Sequence, residues 1–139
     1  MSRKTVLFVL IPEYADWEPA LLAAGLRRGF GMWDNNFEVK TVAPTGDPAV
    51  SIGGFRVIPD YTIESAPDDF AALILVGGFG WFWEDAKKTL PLVRKALAQN
   101  AVLGAICDAS IFLGVNGFLN GVNHTSNSLE LLKAKAGVT

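Results

Sequence analysis

Three stretches of the chain are nearly continuous in apolar residues: Thr5 to Ile11, Ala71 to Val76 and Ala101 to Ile106. Each has the length of a strand and no polar face, which predicts parallel strands covered on both sides. A fourth stretch, Phe37 to Ala43, alternates instead, with Glu38, Lys40 and Thr41 set between Phe37, Val39 and Val42. That pattern predicts a less buried strand near an edge.

Between the first strand and the alternating one, Trp17 to Phe30 carries Ala20, Leu21, Ala24 and Leu26 at helical spacing, and Gly29 to Gly31 stops the run. The result is a β-α-β unit. A second helix is expected over about Leu90 to Gln99, with Leu92, Val93, Ala96 and Leu97 inward and Lys88, Arg94 and Lys95 outward. Pro91 fits only in its first turn, where the missing N–H costs nothing. A third helix follows Cys107 at once and ends near Gly117, and a fourth spans Leu129 to Ala136. Pro44 to Pro59, punctuated by Gly46, Pro48, Gly53 and Gly54, predicts a small hairpin or arm on the sheet's edge. No repeat, low-complexity tract or linker interrupts residues 1–139, so one three-layer α/β domain is expected.

Composition narrows the partners. The chain has 139 residues, 50% of them apolar, with 12 basic against 14 acidic side chains and a net charge of -2. With no basic excess and no basic stripe, neither a nucleic-acid backbone nor an anionic membrane surface is the expected partner. The apolar runs fall far short of the roughly 20 residues that span a bilayer. Arg3 and Lys4 before an apolar run imitate a signal peptide, but no small-residue cleavage site precedes Pro12 and Glu13. The run is read as a first strand and the protein as cytoplasmic. One cysteine, Cys107, and one histidine, His124, leave no disulfide framework and no Cys/His metal cage.

Ligands of open parallel sheets bind beyond the carboxyl ends of the strands, where the strand order reverses. There the sequence places Glu13, Asp16 and Glu18 after the first strand, Gly77-Gly78-Phe79-Gly80 after the third, and Cys107-Asp108 after the fourth. A strand that runs straight into a helix forces a sharp turn, and the small residues Gly104, Ala105, Ala109 and Ser110 permit one at Cys107. The context is that of a nucleophile elbow, with Ala in place of Gly two positions either side. A thiol at a helix N-terminus is expected to have a depressed pKa. The alternative is a small buried hydrophobe.

Glu18 reads in two ways. It is an ordinary acid of a first helical turn, or a carboxyl that faces Cys107 and, protonated, donates a hydrogen bond to its thiolate or oxidised form. The backbone N–H groups around Gly77, Gly78 and Asp108 could form an oxyanion hole, or the glycines simply make a tight turn. The glycines lack the G-x-G-x-x-G spacing and no G-K-[ST] follows, so nucleotide cofactors are not expected. No Asp ends the third strand at Val76-Gly77-Gly78, which sets a phospho-receiver aside. His124 is the only imidazole available to a Cys–His pair, and equally a solvated loop residue. Trp81-Phe82-Trp83 would wall the pocket, enter a subunit interface or pack on its own helix.

With these residues placed, the sequence resembles the DJ-1/PfpI family of the class I glutamine amidotransferase-like superfamily, in its bacterial intracellular protease/amidase-like branch. The resemblance rests on Val6 to Ile11 followed by Asp16-Trp17-Glu18, on Ser51-Ile52-Gly53-Gly54-Phe55, on Leu75-Val76-Gly77-Gly78, on Ala105-Ile106-Cys107 and on His124-Thr125. It implies a flavodoxin-like α/β/α sandwich, usually dimeric, with the nucleophile at Cys107, its acid at Glu18, and Gly77 and Gly78 lining the cysteine pocket. Two departures stand out. Protease-like members place His directly after the cysteine where this chain has Asp108, so a Cys–His dyad would have to recruit His124. The family also continues with further strands and a C-terminal helix, so the domain looks shortened at Thr139, and the apolar surface thereby left open predicts a homodimer.

Two functions follow. One is a thiol-dependent hydrolase or lyase acting on a small carbonyl or amide substrate, with Cys107 as nucleophile, Glu18 as acid and His124 as the available imidazole, needing neither metal nor organic cofactor. The other is a non-catalytic redox or stress-response module that oxidises at the same cysteine.

Overall fold

The structure is a computed structural model that describes residues 2–29 and 36–137. Its centre is a parallel sheet of β1 (Lys4–Val9), β2 (Phe37–Ala43), β5 (Tyr61–Thr62), β6 (Ala72–Leu75) and β7 (Val102–Ala105), in the order β5-β2-β1-β6-β7. β1 pairs β2 on one side and β6 on the other, so the strand order reverses at β1.

Alternation along β1 assigns its two faces. Leu7, Val9 and Ile11 belong to one buried cluster with Leu73 and Leu75, and Val6, Phe8 and Leu10 to a second with Ile74 and Val76. The first face is covered by α2 (Leu90–Ala98), α3 (Asp108–Val115) and α4 (Leu129–Ala136), through Leu92, Val93, Ala96, Ile111, Phe112 and Leu132. The second takes α1 (Trp17–Arg28), through Ala23 and Leu26. The chain therefore forms the expected flavodoxin-like α/β/α sandwich.

Several expectations change in detail. Leu21 is 77% exposed and Leu97 46%. In α1 the packed positions are instead Ala23, Gly25 and Leu26, one face of the helix that excludes Leu21. The expected end of that helix at Phe30 and Gly31 lies outside the described residues, whereas Gly29 caps it in the left-handed conformation with φ 67°. The Ala101–Ile106 run was expected to be covered on both sides. It forms an edge strand in which Leu103 and Ala105 join the first layer while Val102 is 67% exposed. β2 is flanked by the two-residue strand β5, which pairs only with Val42 and Ala43. The sequence reading did not anticipate β5.

The Pro44–Pro59 segment does contain a hairpin, β3 (Ala49–Val50) with β4 (Arg56–Val57), antiparallel and separate from the main sheet. It is not attached at the sheet's edge. Glu13 N–H donates to the Val50 carbonyl at 2.8 Å and Ile52 N–H to the Tyr14 carbonyl at 2.9 Å. The hairpin thus docks on the loop that follows β1, satisfying backbone groups there that the sheet leaves unpaired.

Candidate functional site

β7 ends and α3 begins with Cys107 between them, and Cys107 has φ 56° and ψ -126°. A residue other than glycine in the left-handed region costs energy and turns its side chain to the apex of the bend. The elbow is fixed on both flanks: Ile106 N–H donates to the Leu75 carbonyl at 3.0 Å, and Ser110 N–H to the Cys107 carbonyl at 3.0 Å. Ser110 Oγ also donates to that carbonyl at 2.6 Å and shares a hydrogen bond of 2.7 Å with Ser126 Oγ. The half-buried Cys107 thereby sits against Gly77 at the end of β6.

Glu18 enters the crevice from the first turn of α1. Its Oε2 is buried and has no hydrogen-bond partner among the described residues. Gly77 lies between it and the cysteine: a Cβ there would collide with Glu18 Oε2 and come within 2.6 Å of Cys107 Cβ and 2.7 Å of the Ile106 carbonyl oxygen. Only a glycine lets the β6 end pass this close. Gly78, at φ 152°, is pressed on the other side against Glu13 and Tyr14, where a Cβ would meet Tyr14 Cα at 2.6 Å. Ala15 N–H to the Gly77 carbonyl at 2.9 Å and Phe79 N–H to the Glu13 carbonyl at 3.2 Å hold this turn.

The expected depressed thiol pKa is not what the surroundings produce. Burial pushes the Cys107 thiol up; hydrogen bonds from the Asn127 side chain and the Asp108 amide oppose this, and the carboxyls of Asp108 and Glu18 add to it. Desolvation of a thiolate beside two acids outweighs the donors at the start of α3. The Asp108 carboxyl is itself raised by burial.

His124 is exposed, and its Nδ1 sits 2.8 Å from the carbonyl of Val122 in its own loop. The polar side chain that reaches the sulfur is Asn127, whose Nδ2 donates to Cys107 Sγ at 3.0 Å. Sequence reading missed it, because an asparagine in a polar loop carries no signal of its own. Its position beside Ser126, which ties the loop to α3, is visible only in three dimensions. Of the aromatic run, Trp81 is buried, donating its Nε1–H to the Val76 carbonyl at 2.6 Å and packing on Phe112 at 4.7 Å between ring centres. Phe82 and Trp83 are exposed, and with Ile111, Phe112 and Val115 they line a cavity of about 260 Å3. An apolar cavity of similar size lies on the α1 side, bounded by Phe8, Tyr14, Pro19, Ala23 and Phe55. Cys107 lines neither. Among the described residues no cluster of His, Cys, Asp and Glu could hold a metal ion, and no helix is long and apolar enough to cross a membrane.

The chain is 40% identical over 131 residues to the "Uncharacterized protease YdeA" of Bacillus subtilis and 30% identical over 136 residues to the "Uncharacterized protease YoaZ" of the same organism. Each match covers 94% of this chain but only 62% and 63% of the respective relatives, so the chain spans less than two-thirds of their length. Among solved structures, a DJ-1 superfamily protein from Agrobacterium tumefaciens superposes with a TM-score of 0.82 at 36% identity, covering 96% of this chain and 68% of that one. A thiJ/pfpI family protein from Bacillus anthracis superposes with a TM-score of 0.86 at 29% identity, covering 99% and 66%. The DJ-1/PfpI family model matches residues 4–138. The family match runs along nearly the whole sequence and the solved structures share the fold, so the chain belongs to the DJ-1/PfpI family.

Proposed function

We propose that this chain carries a thiol-dependent hydrolase or lyase site in which Cys107 attacks the electrophilic carbon of a small carbonyl or amide substrate. The observation that carries the reading is the buried, unpartnered Oε2 of Glu18, set beside the strained Cys107 across Gly77. A thiol whose pKa is raised is a poor nucleophile alone and needs an adjacent base. Glu18 supplies it. In the hydrolytic case Oε2 takes the thiol proton as Sγ bonds to the carbonyl carbon and the C=O π pair moves onto oxygen. The backbone N–H groups of Gly78 and Asp108 receive that oxyanion. Collapse breaks the bond to the leaving group, which departs with the proton from Glu18, and water then hydrolyses the thioester and restores the thiol.

The competing redox reading is disfavoured by the raised Cys107, since selective oxidation follows thiolate character. A peptidase-type Cys–His dyad gains no support from His124, which bonds within its own loop. The chemistry needs a reduced Cys107, in keeping with a cytoplasmic setting. The exposed Trp17, Leu21, Phe55 and Ile58 support a homodimer, which light scattering at micromolar concentration tests: a stable monomer would refute it.

The decisive experiment incubates the protein with a panel of small activated esters, amides and aldehydes and follows turnover and intact mass. A transient adduct on Cys107, turnover abolished in Cys107→Ala and lowered about 100-fold in Glu18→Gln, is expected. Turnover that persists in Cys107→Ala, or no adduct and no turnover with any of the compounds, overturns the reading.

A further inference from the structure

The end of the sheet that holds Cys107 has a one-sided charge. Residues 10–18 after β1, 44–48 after β2, 76–83 after β6, 106–108 after β7 and the loop 116–128 contain Glu13, Asp16, Glu18, Asp47 and Asp108 but no lysine or arginine. One cation comes near this end, Arg56 on the hairpin docked on the loop after β1, and it is not among the groups whose charge is felt at Cys107. Lys40 pairs with Asp60, Lys87 with Glu84, Lys88 with Asp85 and Lys95 with Asp68. Arg27 and Arg28 lie in the last turn of α1, at the opposite end from Glu18, and Lys133 and Lys135 in the last turn of α4.

Not every acid at this end is available to a ligand. Asp16 is engaged through Oδ2, which accepts the Gly53 N–H at 2.8 Å, while its buried Oδ1 has no partner among the described residues. Glu18 and Asp108 are the two whose charge is felt at the sulfur, and both oppose a negative charge there. The donors that favour negative charge, the Asp108 amide and Asn127 Nδ2, are directed at Sγ itself. With the Gly78 N–H they serve the thiolate or the oxyanion formed next to it, and among the described residues the loops around the sulfur offer no lysine or arginine to pair a second anionic group on the substrate. Burying such a group unpaired beside two carboxyls is costly.

We infer that the Cys107 site selects uncharged electrophiles and excludes those bearing a carboxylate next to the reacting carbon. This rests on the proposed nucleophilic role of Cys107 and names the substrate class it serves: neutral carbonyls or amides, not α-keto acids or the α-carboxylate end of an amino acid.

The test compares iodoacetamide with iodoacetate, which deliver nearly the same group to sulfur, neutral or anionic. In each case Sγ displaces iodide and the thiol proton goes to solvent. Rates on folded protein are divided by rates on the urea-unfolded chain, so the intrinsic difference between reagents cancels. The folded-to-unfolded ratio is expected to be at least about tenfold smaller for iodoacetate at low salt, as one partly screened charge near the reacting atom implies, with the gap narrowing in 0.5 M NaCl. Asp108→Asn should narrow it as well. Equal ratios for the two reagents, or a gap indifferent to salt, overturn the inference while leaving the nucleophile in place. A folded protein that reacts with neither reagent removes the nucleophilic reading itself. The salt comparison needs no variant, so a poorly folding Asp108→Asn does not decide the matter.

Discussion

Asn127 Nδ2 donates to Cys107 Sγ at 3.0 Å, across a loop closed by the Ser126–Ser110 hydrogen bond. An amide gives a hydrogen bond to the sulfur but cannot take its proton, so Asn127 stabilises the thiolate without acting as a base. Its bond is one of the two influences that pull the thiol pKa down against burial.

Removing that donor should therefore raise the thiol pKa further. Asn127→Ala is expected to slow alkylation of Cys107 at pH 7 by about tenfold, the effect of one hydrogen bond to a charged group. Asn127→His, which supplies an imidazole at the same place, should move the pH profile the opposite way. The readout is the pH dependence of iodoacetamide labelling, and an unchanged profile in Asn127→Ala would show that the contact does not tune the sulfur.

Gly77 is where packing and chemistry meet. An alanine Cβ there collides with Glu18 Oε2 and approaches Cys107 Cβ to 2.6 Å and the backbone oxygen of Ile106 to 2.7 Å. The carboxylate can swing aside, but the strand backbone cannot. Gly77→Ala should cost about 1–3 kcal/mol, as overpacking does, and displace Glu18 from the sulfur. Urea unfolding measures the first effect and turnover of the best substrate the second. A variant as stable and active as the parent would mean that the crevice is looser than these distances.

Much of this was legible in the residues because local and global signals agree there. The uniform apolar run of β1 and the four small residues around Cys107 dictate a buried parallel strand and a tight elbow by themselves. What escaped depends on long-range pairing. β5 holds only Tyr61 and Thr62 and exists because Val42 and Ala43 offer it an edge. Leu97 and Leu21 fit a helical stripe but fall off the packed face, since periodicity fixes a spacing and not which neighbour comes to cover it. The thiol pKa was misjudged for a similar reason. A helix N-terminus is visible in sequence, whereas the desolvation that outweighs it is a property of the assembled crevice.

Asp16 occupies the N-cap position of α1 without capping it. Its carboxylate reaches the hairpin, where Gly53 N–H donates to Oδ2 at 2.8 Å. The Ser51 hydroxyl first, and the Gly53 amide in support, hold the carboxyl below the usual range. A carboxyl depressed in the folded state contributes stability above its unfolded pKa and loses it as pH falls through the folded one. The docking of residues 49–57 should therefore weaken on acidification below the ordinary carboxylate range. Hydrogen exchange at Gly53 is expected to accelerate at low pH relative to amides of β1, and Asp16→Ala should exchange fast at every pH. A Gly53 amide equally protected in both proteins would refute this role.

Cys107 itself is held at a cost. With φ 56° and ψ -126° it occupies a region that a residue with a Cβ enters only under constraint. Glycine is free of that penalty, so Cys107→Gly should be about 1 kcal/mol or more above Cys107→Ala in stability, although it loses the nucleophile. The comparison with alanine matters because both variants remove the sulfur. pH separates the remaining contribution. Since burial raises the thiol pKa in the folded protein, the unfolded chain ionises first as pH rises, and the parent loses stability from the unfolded thiol's pKa upward until the folded one also ionises. Neither variant has a thiol to titrate, so the difference between parent and Cys107→Ala should shift in favour of alanine through that alkaline window. Urea midpoints at pH 7 and pH 10 measure both effects. Equal stability of the glycine and alanine variants would remove the strain at the elbow, and a parent-to-alanine difference that ignores pH would remove the raised thiol.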